Sequence, residues 1–287
     1  MKRFLIVFSI FLPSFLLAQH TEIGFLLGAS NYIGELSNNQ STFYWQETKP
    51  AFGFFGKYNH NSMVALRGGL NFSSVSGEDS NSENKSISER NLSFQSRIIE
   101  LSLIGEFNFP GYQPYALAKP FSPFLFGGIA LANFNPKADF NGESVALQPL
   151  GTEGQGIPGF ARPYSKTTLA IPFGAGLKWA LNDAINVGFE VGARLTFTDY
   201  LDDVGGVFAD NDALIQGNGE LAAALANRTG ELLGTDPVIV PAGTPRGDNT
   251  NNDWYFTAAF FVSYNFLDNG LVGIRKKIKR RRRGCYD

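Results

Sequence analysis

Apolar and polar positions alternate with a period of two through eight separate stretches of the chain. These candidate strands run over approximately 20–33, 50–60, 63–75, 92–109, 121–134, 166–181, 184–199 and 253–267. The clearest is "INVGFEVGARLTFT": Val187, Phe189, Val191, Ala193, Leu195 and Phe197 share one face, while Gly188, Glu190, Gly192, Arg194, Thr196 and Thr198 share the other. In "RIIELSLIGEFNF", Ile99, Leu101, Leu103, Phe107 and Phe109 oppose Glu100, Ser102, Glu106 and Asn108. In "TLAIPFGAGLKWAL", Leu169, Ile171, Phe173, Ala175, Leu177 and Trp179 oppose Gly174, Gly176 and Lys178. The last segment sets Trp254, Phe256, Ala258, Phe260, Val262, Tyr264 and Phe266 on one face.

A soluble sandwich also alternates, so the connections carry the distinction. Segments two and three are joined by "HNS", six and seven by "LNDA", and four and five by "PGYQPYALAKP". The others are longer, at about 34–49, 76–91, 135–165 and 200–252. Short and long connections alternate around the chain, as in a membrane barrel with tight periplasmic turns and large external loops. The expected fold is all-β: an eight-stranded antiparallel transmembrane β-barrel with long external loops and both termini in the periplasm. Composition agrees, with 27 Phe, 10 Tyr and 32 Gly against 2 Met. A mean hydropathy of −0.08 is what alternation produces, because lipid-facing and inward residues cancel.

Eight strands enclose a lumen only wide enough for side chains. The alternation turns Lys57, Arg67, Glu100, Glu106, Lys178, Glu190 and Arg194 inward. Charges there must pair to be tolerated, which predicts a plugged barrel rather than a pore. Inward Gly24, Gly28, Gly174, Gly176, Gly188 and Gly192 would leave room for the long ionic side chains.

The ends of the chain add a second element. "MKRFLIVFSIFLPSFLLAQH" has a basic start, a short apolar core and a small residue at Ala18, which predicts a signal peptide over 1–18 removed before Gln19. Residues 19–267 would then form the barrel and 268–287 a periplasmic tail. Eight of the nine residues over 275–283 are basic: Arg275, Lys276, Lys277, Lys279, Arg280, Arg281, Arg282 and Arg283. Without the signal and without 275–287, 14 basic residues face 25 acidic ones, so a basic tail hangs from an acidic body. Export excludes nucleic acid. The tail suits anionic lipid of the periplasmic leaflet or, equally, an acidic periplasmic protein. Cys285, the single cysteine, cannot form an internal disulfide and favours a protein partner.

Candidate chemistry is sparse. The two histidines, His20 and His60, lie beside the mature N-terminus and in a periplasmic turn, away from any external serine, which argues against a Ser-His lipid-modifying hydrolase. No cofactor, nucleic acid or small-molecule substrate is expected. The cluster Asp199, Asp202 and Asp203 in "TFTDYLDDVGG" is a weak Ca²⁺ candidate, set against a solvated, turn-forming acidic loop. "RGD" over 246–248 sits in polar loop, and a tripeptide recurs by chance. "NGELAAALANRTG" in the last external connection predicts a short helix with Gly230 as its C-cap.

Seven blocks in order carry a family resemblance: "TEIGFLLGASNYIGEL", "NLSFQSRIIELSLIGEFNF", "PFLFGGIALANFNPKA", "LQPLGTEGQG", "IPFGAGLKWAL", "FTDYLDDVGG" and "NDWYF". Together, over residues 20–267, they resemble the PorG-like outer-membrane barrels of the Bacteroidota type IX secretion system. The resemblance implies an accessory, non-catalytic role in protein transport, and in gliding where the organism glides. It implies that the barrel ties the periplasmic PorK/PorN ring to the outer membrane, with the tail and Cys285 meeting a PorK-like lipoprotein. The alternative is a surface-facing binding or adhesion barrel that works through its external loops. "LQPLGTEGQG" and "TDYLDD" both fall on the external side, where they either pack over the plug or meet a surface partner.

Overall fold

The computed structural model describes residues 21–36, 45–82, 84–112, 120–182, 184–248 and 250–266. The signal segment 1–18 and the whole tail, including Arg275–Arg283 and Cys285, lie outside the described residues. Nine strands form: β1 (Thr21–Ile33), β2 (Lys49–Asn59), β3 (Val64–Glu78), β4 (Ser93–Asn108), β5 (Phe121–Phe140), β6 (Glu143–Ala146), β7 (Thr167–Ala180), β8 (Ile185–Thr196) and β9 (Trp254–Asn265). All pairings are antiparallel and mostly between sequence neighbours. β9 closes on β1 from Glu22↔Asn265 to Ile33↔Trp254. Eight strands therefore form a closed barrel, and the short β6 extends only β5. Closure leaves none of the eight barrel strands with an open edge, which is how a sheet satisfies its backbone in lipid.

Across the middle of the barrel the outward face of each of the eight strands is apolar. Leu27, Phe54, Leu101, Leu125, Ile129 and Phe260 are all exposed, Phe260 to 69%. Among the described residues no helix is long and apolar enough to cross a membrane. The strands do the crossing, and lengths such as the twelve residues of β9 fit tilted spans of the bilayer.

The termini of the described chain meet at the end carrying the short turns, where the Phe266 amide donates to Thr21 O at 3.0 Å. The long connections gather at the other, loop-rich end. Three strand ends there differ from expectation, β3 running to Glu78 rather than 75. β5 runs to Phe140 rather than 134 because it turns back on β6 through Asn141 and Gly142, with φ of 53° and 82°. Both values are left-handed, the geometry of a tight hairpin turn. β8 stops at Thr196, short of 199. The last connection holds three helices, Asn211–Asn218, Glu220–Ala226 and Thr229–Leu233. The expected single helix is broken at Asn227. Gly230 is buried inside the third helix, and Gly234, with φ of 63°, supplies the left-handed C-cap.

Candidate functional site: a sealed lumen and a tied cap

All seven inward residues expected from alternation point into the barrel, and each is at most 4% exposed. Glu106 sits at their centre. Its carboxylate takes Lys178 Nζ at 2.8 Å, Lys57 Nζ at 3.5 Å and Arg67 Nε at 3.3 Å. Arg67 also grips Glu190 across the lumen with two hydrogen bonds, of 2.6 and 3.2 Å. Arg194 Nε meets Glu100 at 3.2 Å, and Glu100 further accepts from Tyr255 OH at 2.6 Å and Asn71 at 2.7 Å.

Glu22 completes the set and was not anticipated. It lies 3.2 Å from Lys57 and accepts from Asn59 and Ser263. Four cations (Lys57, Arg67, Lys178, Arg194) thus face four carboxylates (Glu22, Glu100, Glu106, Glu190), and the lumen is neutral. Glu22 falls on the inward phase of β1, two residues before Gly24. That phase is the signal by which it could have been found.

Aromatic rings, not ionic chains as the sequence suggested, stand over five of the six inward glycines, and Gly28 instead meets the β9 backbone at Ala258 and Ala259. A Cβ on Gly24 would stand 2.2 Å from the Phe55 ring, and one on Gly188 would stand 2.3 Å from Phe261. The rings in turn cover the cations. Lys178 Nζ lies 4.6 Å from the Phe124 centroid, and Arg67 Cζ lies 5.5 and 5.4 Å from Phe55 and Phe126. Cation–π contact strengthens when water is excluded, so the rings both fill the lumen and offset part of the desolvation of the charges. A void beside Glu100, Glu190 and Arg194 measures about 30 Å³, room for a water molecule and no solute.

At the loop-rich end the connections tie to one another. Arg246, 4% exposed, donates through Nη1 to Glu153 Oε1 (3.1 Å) and Asp203 O (2.6 Å), and through Nε to Ala226 O (3.1 Å). Glu153 Oε1 accepts from the Gly205 and Gly206 amides, both at 3.1 Å. Asp203 accepts from Thr152 and Tyr164, each at 2.6 Å. Arg90 joins from the second long connection. It is bidentate on Asp79, at 2.7 Å twice, and hydrogen-bonds the Arg246 carbonyl. The blocks "LGTEGQG" and "DYLDDVGG" therefore pack on each other. Arg246 of the "RGD" triplet is spent inside the cap, which removes its guanidinium from any adhesion contact.

The acidic loop is neither solvated nor a single cluster. Asp203 turns to Arg246, while Asp202 and Asp253 face Glu35, one carboxylate oxygen from each of the three lying within 4.8 Å of the others. The Tyr32 hydroxyl lies between Asp202 Oδ2 (2.7 Å) and Asp253 Oδ1 (2.8 Å). Burial and the neighbouring Asp199 push the Glu35 carboxyl up to about 8. Burial and Asp202 push Asp199 up to about 8 as well. Asp202 and Asp253 are driven well above the usual carboxylate range by burial and by the charges around them. Among the described residues, Glu35, Asp202 and Asp253 are the group whose spacing could hold a metal ion, so the expected trio of Asp199, Asp202 and Asp203 is redrawn.

A closed antiparallel barrel with an apolar exterior, a neutral packed lumen and an ordered cap defines a small plugged transmembrane β-barrel. DUF6089, described as a domain of unknown function, matches residues 1–218, and the chain belongs to that family. No curated protein matches it. Solved structures to which it is similar include the N-terminal β-barrel domain of Pseudomonas aeruginosa OprF (10% identity, TM-score 0.36, covering 86% of this chain and 98% of that one). Neisserial surface protein A is another (8%, 0.40, 86% and 97%), as is the attachment invasion locus protein Ail of Yersinia pestis (9%, 0.39, 86% and 98%).

Proposed function

We propose that this barrel is a non-catalytic outer-membrane component of the type IX protein secretion machinery that anchors a periplasmic PorK/PorN ring. The observation that carries the reading is the sealed lumen. A barrel filled by a neutral ion network offers no route for solutes and leaves its two ends as working surfaces. The seven sequence blocks supply the family context. With the loop-rich end outward, the short-turn end faces the periplasm. Both termini lie there, and the basic residues over 275–283 and Cys285 are delivered to a PorK-like lipoprotein. An acidic partner would be steered by the tail's charge and held by a Cys285 disulfide. Truncation after Phe266, in cells, tests this. The barrel is expected to insert normally, while cargo export and ring attachment fall and a reductant-sensitive adduct to a periplasmic lipoprotein disappears. Unchanged export and ring attachment would sink the proposal.

A second reading, a surface-facing binding barrel, is favoured by the cap. Loops of this length tied by buried Arg246 and Glu153 make a fixed outer surface suited to a partner. Deleting 227–248 and assaying surface binding separately from export distinguishes the two.

A further inference from the structure

The exterior changes chemistry along one edge of the loop-rich end. Outward apolar positions stop at Ile99 on β4, Leu131 on β5 and Leu169 on β7, all exposed. Beyond them on the same face stand Arg97 and Gln95 on β4, and Asn133, Asn135, Lys137 and Asp139 on β5. Arg97 pairs with Asn135, and Gln95 with Lys137, so Arg97 and Lys137 are diagonal neighbours on that face, about 7–8 Å apart at the backbone. The Asn133 side-chain amide donates to Lys166 O at 3.1 Å and Thr167 Oγ1 at 2.9 Å, which fixes Lys166 to the same edge. Arg97, Lys137 and Lys166 are exposed. Among the described residues none of the three has a carboxylate within ion-pair distance, unlike Lys57, Arg67, Arg90, Lys178, Arg194, Arg228 and Arg246. Asp139, the acidic residue on this face, stands one outward position beyond Lys137, away from the belt.

We propose that this edge binds the phosphate groups of an anionic glycolipid in the outer leaflet, the acyl chains lying on Ile99, Leu131 and Leu169. Unpaired cations that begin where the apolar belt ends match a ligand whose phosphates sit on the same sugar headgroup that carries its acyl chains. An acidic protein would not need the belt. Arg97 supplies a planar fork for phosphate oxygens, and the lysines supply mobile point charges. The inference rests on the outward placement of the loop-rich end proposed above.

The test uses the purified full chain in zwitterionic detergent, titrated with bisphosphorylated lipid A, its dephosphorylated form, or inorganic phosphate, and read by native mass spectrometry. The variant is R97Q/K137Q/K166Q, and K49Q/K85Q is a control altering cations elsewhere. We expect the triple variant to lose at least about tenfold in affinity for the bisphosphorylated lipid, the control to be unchanged, and the dephosphorylated lipid to bind both proteins equally weakly. Equal binding by wild type and triple variant overturns the proposal, as does phosphate-independent retention. Full competition by inorganic phosphate would overturn the lipid assignment in favour of the free anion. Labelling of E143C (in a C285S background) in intact cells reports orientation independently, so failure of the edge and failure of the outward placement are told apart.

Discussion

Arg67 and Glu190, 123 residues apart, face each other across the lumen through two hydrogen bonds, of 2.6 and 3.2 Å, with both side chains at most 4% exposed. Removing one partner leaves a charge in the lumen without its counter-ion. E190Q is expected to lower stability by about 3–5 kcal/mol, whereas R67M/E190L, which removes both charges, recovers much of the loss. Thermal unfolding in detergent, followed by heat-modifiable gel mobility, measures both. Equal stability of E190Q and wild type would show that the pair contributes nothing.

The filled lumen has an electrical consequence. In planar bilayers the folded protein is expected to show no steady conductance steps. The substitution F124A, which removes a ring lying 4.6 Å from Lys178 Nζ, should introduce brief openings without abolishing folding. Steady ohmic conductance by the wild type would contradict the neutral plug.

The carboxylates under the cap set a pH dependence. Glu35 and Asp199 are pushed up to about 8, and Asp203 to about 6. A raised carboxyl binds its proton more tightly in the closed cap than in the open chain. Its stabilising effect is therefore complete below the ordinary carboxylate range and lost as pH rises to about 8. The cap should be tighter at pH 5.5 than at pH 8.5. Hydrogen exchange over 31–36 and 199–205, corrected for intrinsic rate, is expected to quicken by about tenfold or more across that range. E35Q should flatten the profile. Exchange that slows with rising pH would reverse the assignment.

Arg246 joins three segments of the cap through Glu153, Asp203 and Ala226. R246A is expected to cost about 3 kcal/mol or more locally, because Glu153 is left buried without its cation. Limited proteolysis should cut within 227–248 far sooner, while barrel mobility on gels stays that of wild type. Unchanged cleavage would mean that apolar packing alone holds the cap.

The barrel was legible in the chain because a two-residue period needs no long-range information. Glu100, Glu106 and Glu190 each follow from the phase of one strand. The partners did not follow. That Arg67 meets Glu190 rather than Glu100 depends on strand tilt and closure, which no local pattern records. The β5–β6 hairpin did carry a signal, Asn141-Gly142, hidden inside a stretch otherwise read as loop. The cap was the least legible part. Asp203 looked solvated because acidic loops usually are, and its burial depends on Arg246, which is distant in sequence. Phe55 and Phe261 share the inward phase of Lys57 and of Ser263, but as large apolar side chains they match their lipid-facing neighbours, so side-chain character alone does not mark them as lumen residues. The basic tail lies outside the described residues.

The lumen contacts also constrain how the barrel can be assembled. Arg67 and Glu106 belong to the first half of the strand order, while their counter-ions Glu190 and Lys178 arrive on β8 and β7. A partly inserted sheet made of β1–β4 would keep Lys57 beside Glu22 and Glu106, but would carry Glu100 without Arg194, Arg67 without Glu190 and Glu106 without Lys178, a state that hydrocarbon penalises heavily. Hairpin-by-hairpin entry into lipid is therefore disfavoured. The strands must stay hydrated on their inner face until β9 reaches β1, so that dehydration of the interior and closure of the ring become one event.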